Sequence, residues 1–413
     1  MKRLFIIFLL IISSNFLYSQ GLNDLISSAV TINSKLKPLE YEKLAALTKI
    51  NQNNKQPAPM IEIMQDRIPF SFMNAGEFTA SYSQPLKLFG KTTASEEYYS
   101  YLALKPDIMR EELRKDIIKD VKENYFMLFQ NERMLSTNLL EQEIIKSITS
   151  SIEIKYSVGK GNQNDIFKSN SELQKLLYDE IQLKSEKKII LNNLRTLTGI
   201  SLPEDYKTKN VELLISRNTI YNDTLQLQKL LVENNPEFKY LEYESKVTSL
   251  ERNIAELERK PDITLKTGYM YMSDVNEHAF QLGIGIDLPF MPWNSKRIDA
   301  MIQENDYKQK QIESNYNSVL IYAVSEMRNK ISLVNAQTEK IKFIKEITIP
   351  QLEQTLKSGL ISYQTGEFEY MNIIDSYRML RENDFKLIEE ETKFLLYMNE
   401  LERLVSTELL KIN

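Results

Sequence analysis

Residues 263–289 read ITLKTGYMYMSDVNEHAFQLGIGIDLP, and their alternation decides what kind of fold the chain builds. Ile263, Leu265, Thr267, Tyr269 and Tyr271 take every second position, with Thr264, Lys266, Gly268, Met270 and Met272 between them. Phe280, Leu282, Ile284, Ile286 and Leu288 then alternate with Gln281, Gly283, Gly285, Asp287 and Pro289. A period of two sends the two sets to opposite faces of a strand. Ser273, Asp274 and Asn276 supply turn chemistry between the runs. The segment therefore reads as a hairpin with one apolar face and one polar or small face. A weaker version lies upstream. There Phe78, Ala80, Tyr82 and Leu86 face one way and Glu77, Thr79, Ser81 and Ser83 the other, and Ile61 and Ile63 begin the partner strand.

The distribution of helix breakers says what lies between the hairpins. The 413 residues hold only 11 Gly and 12 Pro. Seven of these fall in 57–106 and six in 261–292, the two strand windows, while none falls in 107–158, 162–198, 293–349 or 367–413. The breaker-free stretches carry helical periodicity. Ile312, Tyr316, Val319, Ala323, Met327, Ile331 and Val334 mark one face, and Ile117, Val121, Leu128, Leu135, Leu139, Ile145 and Ile152 another. The first stretch, 52 residues, would span roughly 80 Å at ~1.5 Å per residue. Helices of that length must pack side by side as an elongated, coiled-coil-like bundle.

The chain also repeats itself. Leu39-Glu40-Tyr41-Glu42 recurs as Leu241-Glu242-Tyr243-Glu244 at an offset of 202, and Pro59 maps onto Pro261 at the same offset. Pro85 maps onto Pro289 at 204, and Tyr156-Ser-Val-Gly159 onto Tyr363-Gln-Thr-Gly366 at 207. Four ordered anchors with nearly constant offset mark two tandem copies of helix, strand hairpin, long helix, turn, long helix. Each Tyr-x-x-Gly joins two breaker-free stretches. Gly159 and Gly366 suit a positive φ after a helix, and Asn162 and Asp165 suit the start of the next one. Tyr156–Asp165 and Tyr363–Phe368 are thus the tips of two antiparallel helical hairpins.

The first residues read as a secretory signal, spanning 1–19. Lys2 and Arg3 form the positive region, Leu4–Ile12 the apolar core, and Ser13, Ser14, Ser19 and Gly21 are small residues around a cut expected at Ser19|Gln20. The apolar run of nine is short of the ~20 residues of a spanning helix. No later run is long enough either. Cleavage would move the net charge from −5 to −7, which argues against a phosphate-binding surface and nucleic acid. Zero Cys excludes disulfides, thiolate chemistry, Cys-ligated metals and N-terminal lipidation. A single His, His278, leaves no His-cluster metal site in one chain. No nucleophile–base constellation or phosphate loop is present, and Gly283-Ile-Gly285 sits inside an alternating strand. The sequence gives no reason to expect an enzyme, a cofactor or a bound metal.

Four strands of about ten residues fit an outer membrane in length and polarity, but four cannot close a barrel, and lipid does not tolerate open edges. A membrane placement requires a shared barrel, eight strands from two chains or twelve from three. A water-soluble sandwich of two hairpins capping the bundle is the other placement the periodicity allows. Tyr269, Tyr271 and Trp293 would be interfacial anchors in the first case, with Trp293 alternatively packing the barrel base. Met270, Met272 and Met291 read as packing residues.

At this point the chain resembles the TolC family of outer membrane efflux proteins over nearly all of its mature length. The resemblance rests on the signal, the tandem repeat, the Pro-led strand pairs Pro59–Phe89 and Pro261–Trp293, and both tip motifs. Pro57-Ala-Pro-Met60, Asp66-Arg67-Ile68-Pro69 and Gln84-Pro85 with Phe89-Gly90-Lys91 resemble its heavy-metal-efflux branch. The resemblance implies a mainly α fold with a small β part. Long helical hairpins would form a trimeric helical barrel below a shared twelve-stranded outer-membrane β-barrel. The parts would be a first repeat at 20–200 (strand hairpin about 59–89, tip near 156–165), an equatorial linker at 201–223, and a second repeat at 224–413 (strand hairpin about 261–291, tip near 359–368).

It also implies a function: a passive homotrimeric conduit for metal ions or small toxic compounds. The conduit would dock onto a periplasmic adaptor and an inner-membrane efflux transporter of RND type. Tyr156, Val158, Gly159, Tyr363, Thr365 and Gly366 would be adaptor-binding tips. Asp375, Asn372 and Asp165 would belong to the pore constriction, where relatives often carry two acidic residues one turn apart and this chain has Asn372 and Asp375. One carboxylate per chain would still make a ring of three; a solvated helix carboxylate is the plain alternative for Asp375. Pro106 departs from the family pattern and predicts a kink or a later helix start. A periplasmic adaptor or coiled-coil scaffold is the competing function, disfavoured because two hairpins alternate with two strand pairs.

Overall fold

The computed structural model describes residues 21–66, 76–209, 211–216, 224–273, 275–365 and 369–410. The signal segment 1–19, Pro69, Asp274, Gly366, Phe368 and most of the second half of the 201–223 linker lie outside them.

The element order runs twice through the same plan. The first pass is α1 (Leu22–Ile32), a 3₁₀ turn, α2 (Lys37–Asn53), β1 (Met60–Asp66), β2 (Glu77–Leu86), α3 (Lys91–Leu102), α4 (Lys105–Ser157) and α5 (Gln163–Thr198). A short α6 (Val211–Ser216) follows. The second pass is α7 (Thr224–Asn234), α8 (Pro236–Leu257), β3 (Ile263–Met272), β4 (Glu277–Ile286), α9 (Pro292–Phe343), a π-helical turn (Ile344–Thr348), α10 (Ile349–Thr365) and α11 (Tyr370–Val405).

Prolines set the breaks. Pro106 does not kink a helix. The backbone turns at Ala103–Leu104, and α4 begins at Lys105, so Pro106 lies in the first turn where no N–H partner is needed. Pro350 acts inside a helix. It has no N–H for the carbonyl four residues back, and the ladder widens into the π turn just upstream. The breaker-free stretch 293–349, read as one helix, thus ends its regular part at Phe343.

Two compact units form. One comprises Met1–Ser34, Glu112–Asn235 and Tyr322–Asn413; the other comprises Lys35–Glu111 and Pro236–Ile321. Each takes parts of both repeats. In the first unit, Ile145, Ile148 and Ile152 of α4, Leu176 of α5, Leu356 and Tyr363 of α10 and Tyr370, Ile373, Ile374 and Tyr377 of α11 share one buried cluster. Further along α4, Val121, Tyr125, Phe126 and Leu128 are fully buried. The Tyr125 hydroxyl donates to the Lys209 carbonyl (3.2 Å) and accepts from its N–H (2.7 Å), which satisfies a polar tip inside an apolar site. Lys122 and Glu402 form a buried ion pair at 2.7 Å, each about 7% exposed. The free Glu402 oxygen accepts from the N–H groups of Leu409 (2.7 Å) and Leu410 (2.5 Å).

The second unit carries the sheet. Its helices α2, α3 and α8 pack in sequence, with Tyr101 stacked on Tyr243 at 5.6 Å and Phe238 edge-on to Tyr316 at 5.3 Å. The four strands form one antiparallel sheet in the order β1-β2-β3-β4. Ile61 pairs with Tyr82, Tyr82 with Thr267 and Thr267 with Leu282, so the sequence alternation is continuous across the sheet.

Candidate functional site

One face of the sheet gathers Ile61, Ile63, Phe78, Tyr82, Leu265, Phe280, Leu282, Ile284 and Ile286, and all of them are exposed. Phe280 is 86% and Leu282 90% exposed. No helix packs across either face of the sheet among the described residues. A solvent-facing surface of this size and polarity is abnormal for a finished water-soluble domain. Among the described residues no further strand pairs with the outer edges of β1 and β4. The alternation is sound and the sheet is regular; what is missing is cover.

The two ends of this face are aromatic. At the hairpin end, His278 stacks on Tyr269 (5.8 Å) and Tyr271 (5.0 Å), and Phe280 lies edge-on to Tyr269. The Tyr269 hydroxyl is hydrogen-bonded to His278 Nδ1, and Tyr271 donates to Asn276 Oδ1 at 3.1 Å. Sequence reading named the two tyrosines and noted His278 only as the single histidine. At the helical end, Trp293 is 74% exposed in the first turn of α9, three residues after exposed Phe290, and Phe89, just past β2, is exposed as well. The exposure of Trp293 excludes packing within a single chain. Phe290 was not singled out, and Phe89 was named only in a motif, although Phe290 directly follows the repeated Pro289 and Phe89 lies four residues after Pro85.

The first helical tip is held by its glycines and its cap. Gly159 adopts φ +75°, and the Lys160 N–H returns to the Lys155 carbonyl at 2.9 Å. A Cβ on Gly161 would sit 2.7 Å from the Tyr156 backbone nitrogen, so the chain reverses tightly there. The Asn162 side chain caps α5 by accepting from the Asn164 N–H at 3.0 Å. Asp165 lies in the first helical turn instead of capping. Tyr156, Val158 and Gly159 are left exposed on this tip.

At the second tip Thr365 is exposed, but Tyr363 is 6% exposed and belongs to the buried cluster. Lys155 lies 3.7 Å from the centroid of the Tyr363 ring and also donates to the Tyr363 carbonyl. Tyr363 therefore joins the two hairpin ends within the chain and presents little surface to a partner. Burial, followed by the nearby Asp165 carboxylate, pushes its phenol up.

On α11, Asn372 and Asp375 lie on the exposed side, opposite buried Ile373, Ile374 and Tyr377. Asp375 meets Arg378 at 3.4 Å, a surface contact that leaves the carboxylate hydrated. Asp165 is half-buried near Tyr363 and Tyr370.

The ion pairs that fix α11 were not legible in the sequence. Arg378 reaches Glu172 of α5 (2.5 Å), and Arg381 reaches both Glu141 of α4 (3.0 Å) and Asp179 of α5 (2.5 Å). Arg133 pairs with buried Glu391. Among the described residues no group of three or more His, Asp or Glu side chains could hold a metal, and no helix is long and apolar enough to cross a membrane.

No protein-family model matches the chain. The cobalt-zinc-cadmium resistance protein CzcC of Cupriavidus metallidurans is 22% identical over 318 residues, covering 73% of this chain and 70% of that protein. A solved structure of CusC, described in terms of transmembrane channel formation, superposes with a TM-score of 0.77 at 17% identity, covering 95% of this chain and 94% of the other. The outer-membrane channel OprN gives 0.75 at 14% identity, covering 94% and 90%.

Proposed function

Starting from the fold of the TolC-type outer-membrane channels, we propose that this chain is the outer-membrane conduit of a tripartite efflux system. The observation that carries the proposal is the sheet, apolar and uncovered on one face and open at both edges. With four alternating antiparallel strands, β1 of one copy meets β4 of the next in antiparallel sense, so a ring of copies closes without a mismatch. Three copies give twelve strands and leave a lumen; two give eight, which side chains would fill. The apolar face turns to lipid and the aromatic ends lie at the two headgroup regions.

The long helices continue the passage into the periplasm. Their tips, through Tyr156, Val158, Gly159 and Thr365, meet an adaptor that links the conduit to an energised inner-membrane transporter of RND type. The conduit itself does no chemistry. Its cargo is metal ions or small toxic compounds, a reading supported by the likeness to CzcC. Within it, Asp375 and Asn372 form the narrow entrance, three carboxylates per trimer.

The absence of native cysteine provides the test. Glu62→Cys on β1 is combined in turn with Glu277→Cys, Ala279→Cys or Gln281→Cys on β4, all on the less apolar face. In membranes, one combination should cross-link into a ladder ending at three chains on a non-reducing gel. A chain found soluble and monomeric, or uncrosslinked in every combination, would overturn the reading.

A further inference from the structure

Arg381 of α11 ties this helix to two others at once. Its Nε donates to Glu141 Oε2 on α4 at 3.0 Å, and its Nη2 to Asp179 Oδ2 on α5 at 2.5 Å. Glu141 is 4% exposed, and its second oxygen, Oε1, has no hydrogen-bond partner. An ionised carboxylate with an orphaned oxygen is costly in such a place, and a neutral one much less so. The surroundings add to the imbalance. From α4 come Asn138 and Gln142, from α5 Asp179 and Glu180, the latter held by Gln142 and Lys184, and from α11 Tyr377, Arg378, Arg381 and Asp384. Arg378 is engaged with Glu172, and Asp384 faces Glu353 of α10 and Arg133 of α4, the latter paired with Glu391. Arg381 is thus the principal cation on Glu141, and it is shared with Asp179.

We propose that Glu141, Arg381 and Asp179 form a proton-operated clamp that holds α11 on the α4–α5 hairpin while Glu141 is protonated and loosens when it ionises. The neutral carboxyl keeps Oε2 as an acceptor for Arg381, and Asp179 alone balances the guanidinium. Burial pushes the Glu141 carboxyl up to about 7 in spite of Arg381. A state in which α11 draws away would hydrate Glu141 and return it toward the ordinary carboxylate range. The packed state therefore binds the proton more tightly, so acid favours it and rising pH through neutrality favours separation. From these two affinities, the packed-to-separated ratio falls about tenfold per chain between pH 6 and pH 8.5. That this movement opens the passage rests on the conduit reading, in which α11 carries Asp375 at the entrance.

Spin labels on the full-length protein in lipid vesicles, at Glu143→Cys on α4 and Met379→Cys on α11, report the clamp. Labelled chains are diluted with unlabelled ones so that only distances within a chain are read. The distance distribution should be short and narrow at pH 6, and longer and broader at pH 8.5. Glu141→Gln, which mimics the protonated carboxyl at nearly constant shape, should keep the pH 6 distribution throughout. Asp179→Asn should retain the transition but move its midpoint to lower pH. Equal distributions at both pH values in the parent, or a Glu141→Gln protein that shifts as the parent does, would overturn the clamp. Conductance in planar bilayers separates the two readings. A distance change without a pH-dependent conductance supports the clamp and removes its role at the entrance.

Discussion

Placing an arginine in the middle of β4 separates a lipid-facing sheet from a watery one by energy alone. Leu282 is the sixth of the ten residues Glu277–Ile286 and is 90% exposed. A strand rising ~3.3 Å per residue and tilted ~40° climbs roughly 2.5 Å per residue, so ten residues match an apolar band ~25 Å tall. Leu282 then lies within about 1–2 Å of the midplane, and Ile286 roughly 11 Å from it. An arginine at the midplane costs about 2–4 kcal/mol and near the interface about 0–1 kcal/mol. Leu282→Arg should therefore destabilise each chain several-fold more than Ile286→Arg. On a water-facing sheet both changes would stay within about 0.5 kcal/mol. Urea titration of folding into lipid vesicles, followed by the emission of the only tryptophan, Trp293, measures the difference. Equal midpoints for the two variants, unchanged from the parent, would refute the lipid-facing assignment.

Other outcomes follow from other parts of the chain. Lys122→Met leaves the Glu402 carboxylate buried without its cation and should cost roughly 3–5 kcal/mol, seen as a lowered thermal transition. Adding Glu402→Leu should recover only part of this, because Leu409 and Leu410 then lose their acceptor. Helix α2 buries no residue and exposes Tyr41, Leu44 and Leu47. Because α2 leads into β1 and α9 leaves β4, Leu44→Cys should cross-link to Gln303→Cys of a neighbouring copy; a pair that stays reduced while the strand-edge pair closes would reject that seam. Asp375→Ala should reduce cation selectivity in bilayers, and unchanged selectivity would return Asp375 to an ordinary solvated carboxylate. Val158→Asp should weaken capture of the adaptor by cross-linking from Ser157→Cys without altering the helical signal in circular dichroism.

Much of the fold was readable because it depends on local periodicity. Alternation at 263–271 and 280–288 set both strands and their faces, and Tyr156-x-x-Gly159 marks the first tip. The π turn at Ile344–Thr348 was not anticipated, though its cause, Pro350, ends the stretch that was read as continuous. The site was half legible. Tyr156 and Val158 stand on the exposed tip because nothing local buries them, whereas Tyr363 is buried by residues of three other helices. The Arg381 pairs join positions separated by 240 and 202 residues. No sequence window contains both partners, and Glu141 looks like any charge on a helix face until α11 is laid over it.

The open sheet also divides the life of the chain in time. Its helical cores close around residues of one polypeptide, so they can mature at a rate independent of how many copies are present. In the proposed conduit, the sheet finds its missing neighbours in other copies. Its completion therefore depends on encounter and follows subunit concentration. Between those two events the chain carries Ile61, Phe280 and Leu282 bare beside the outer strands. That interval is when it is most prone to pair wrongly. Its yield should be governed by whatever shortens the wait, a lipid surface or a holding chaperone, more than by the stability of the finished helices.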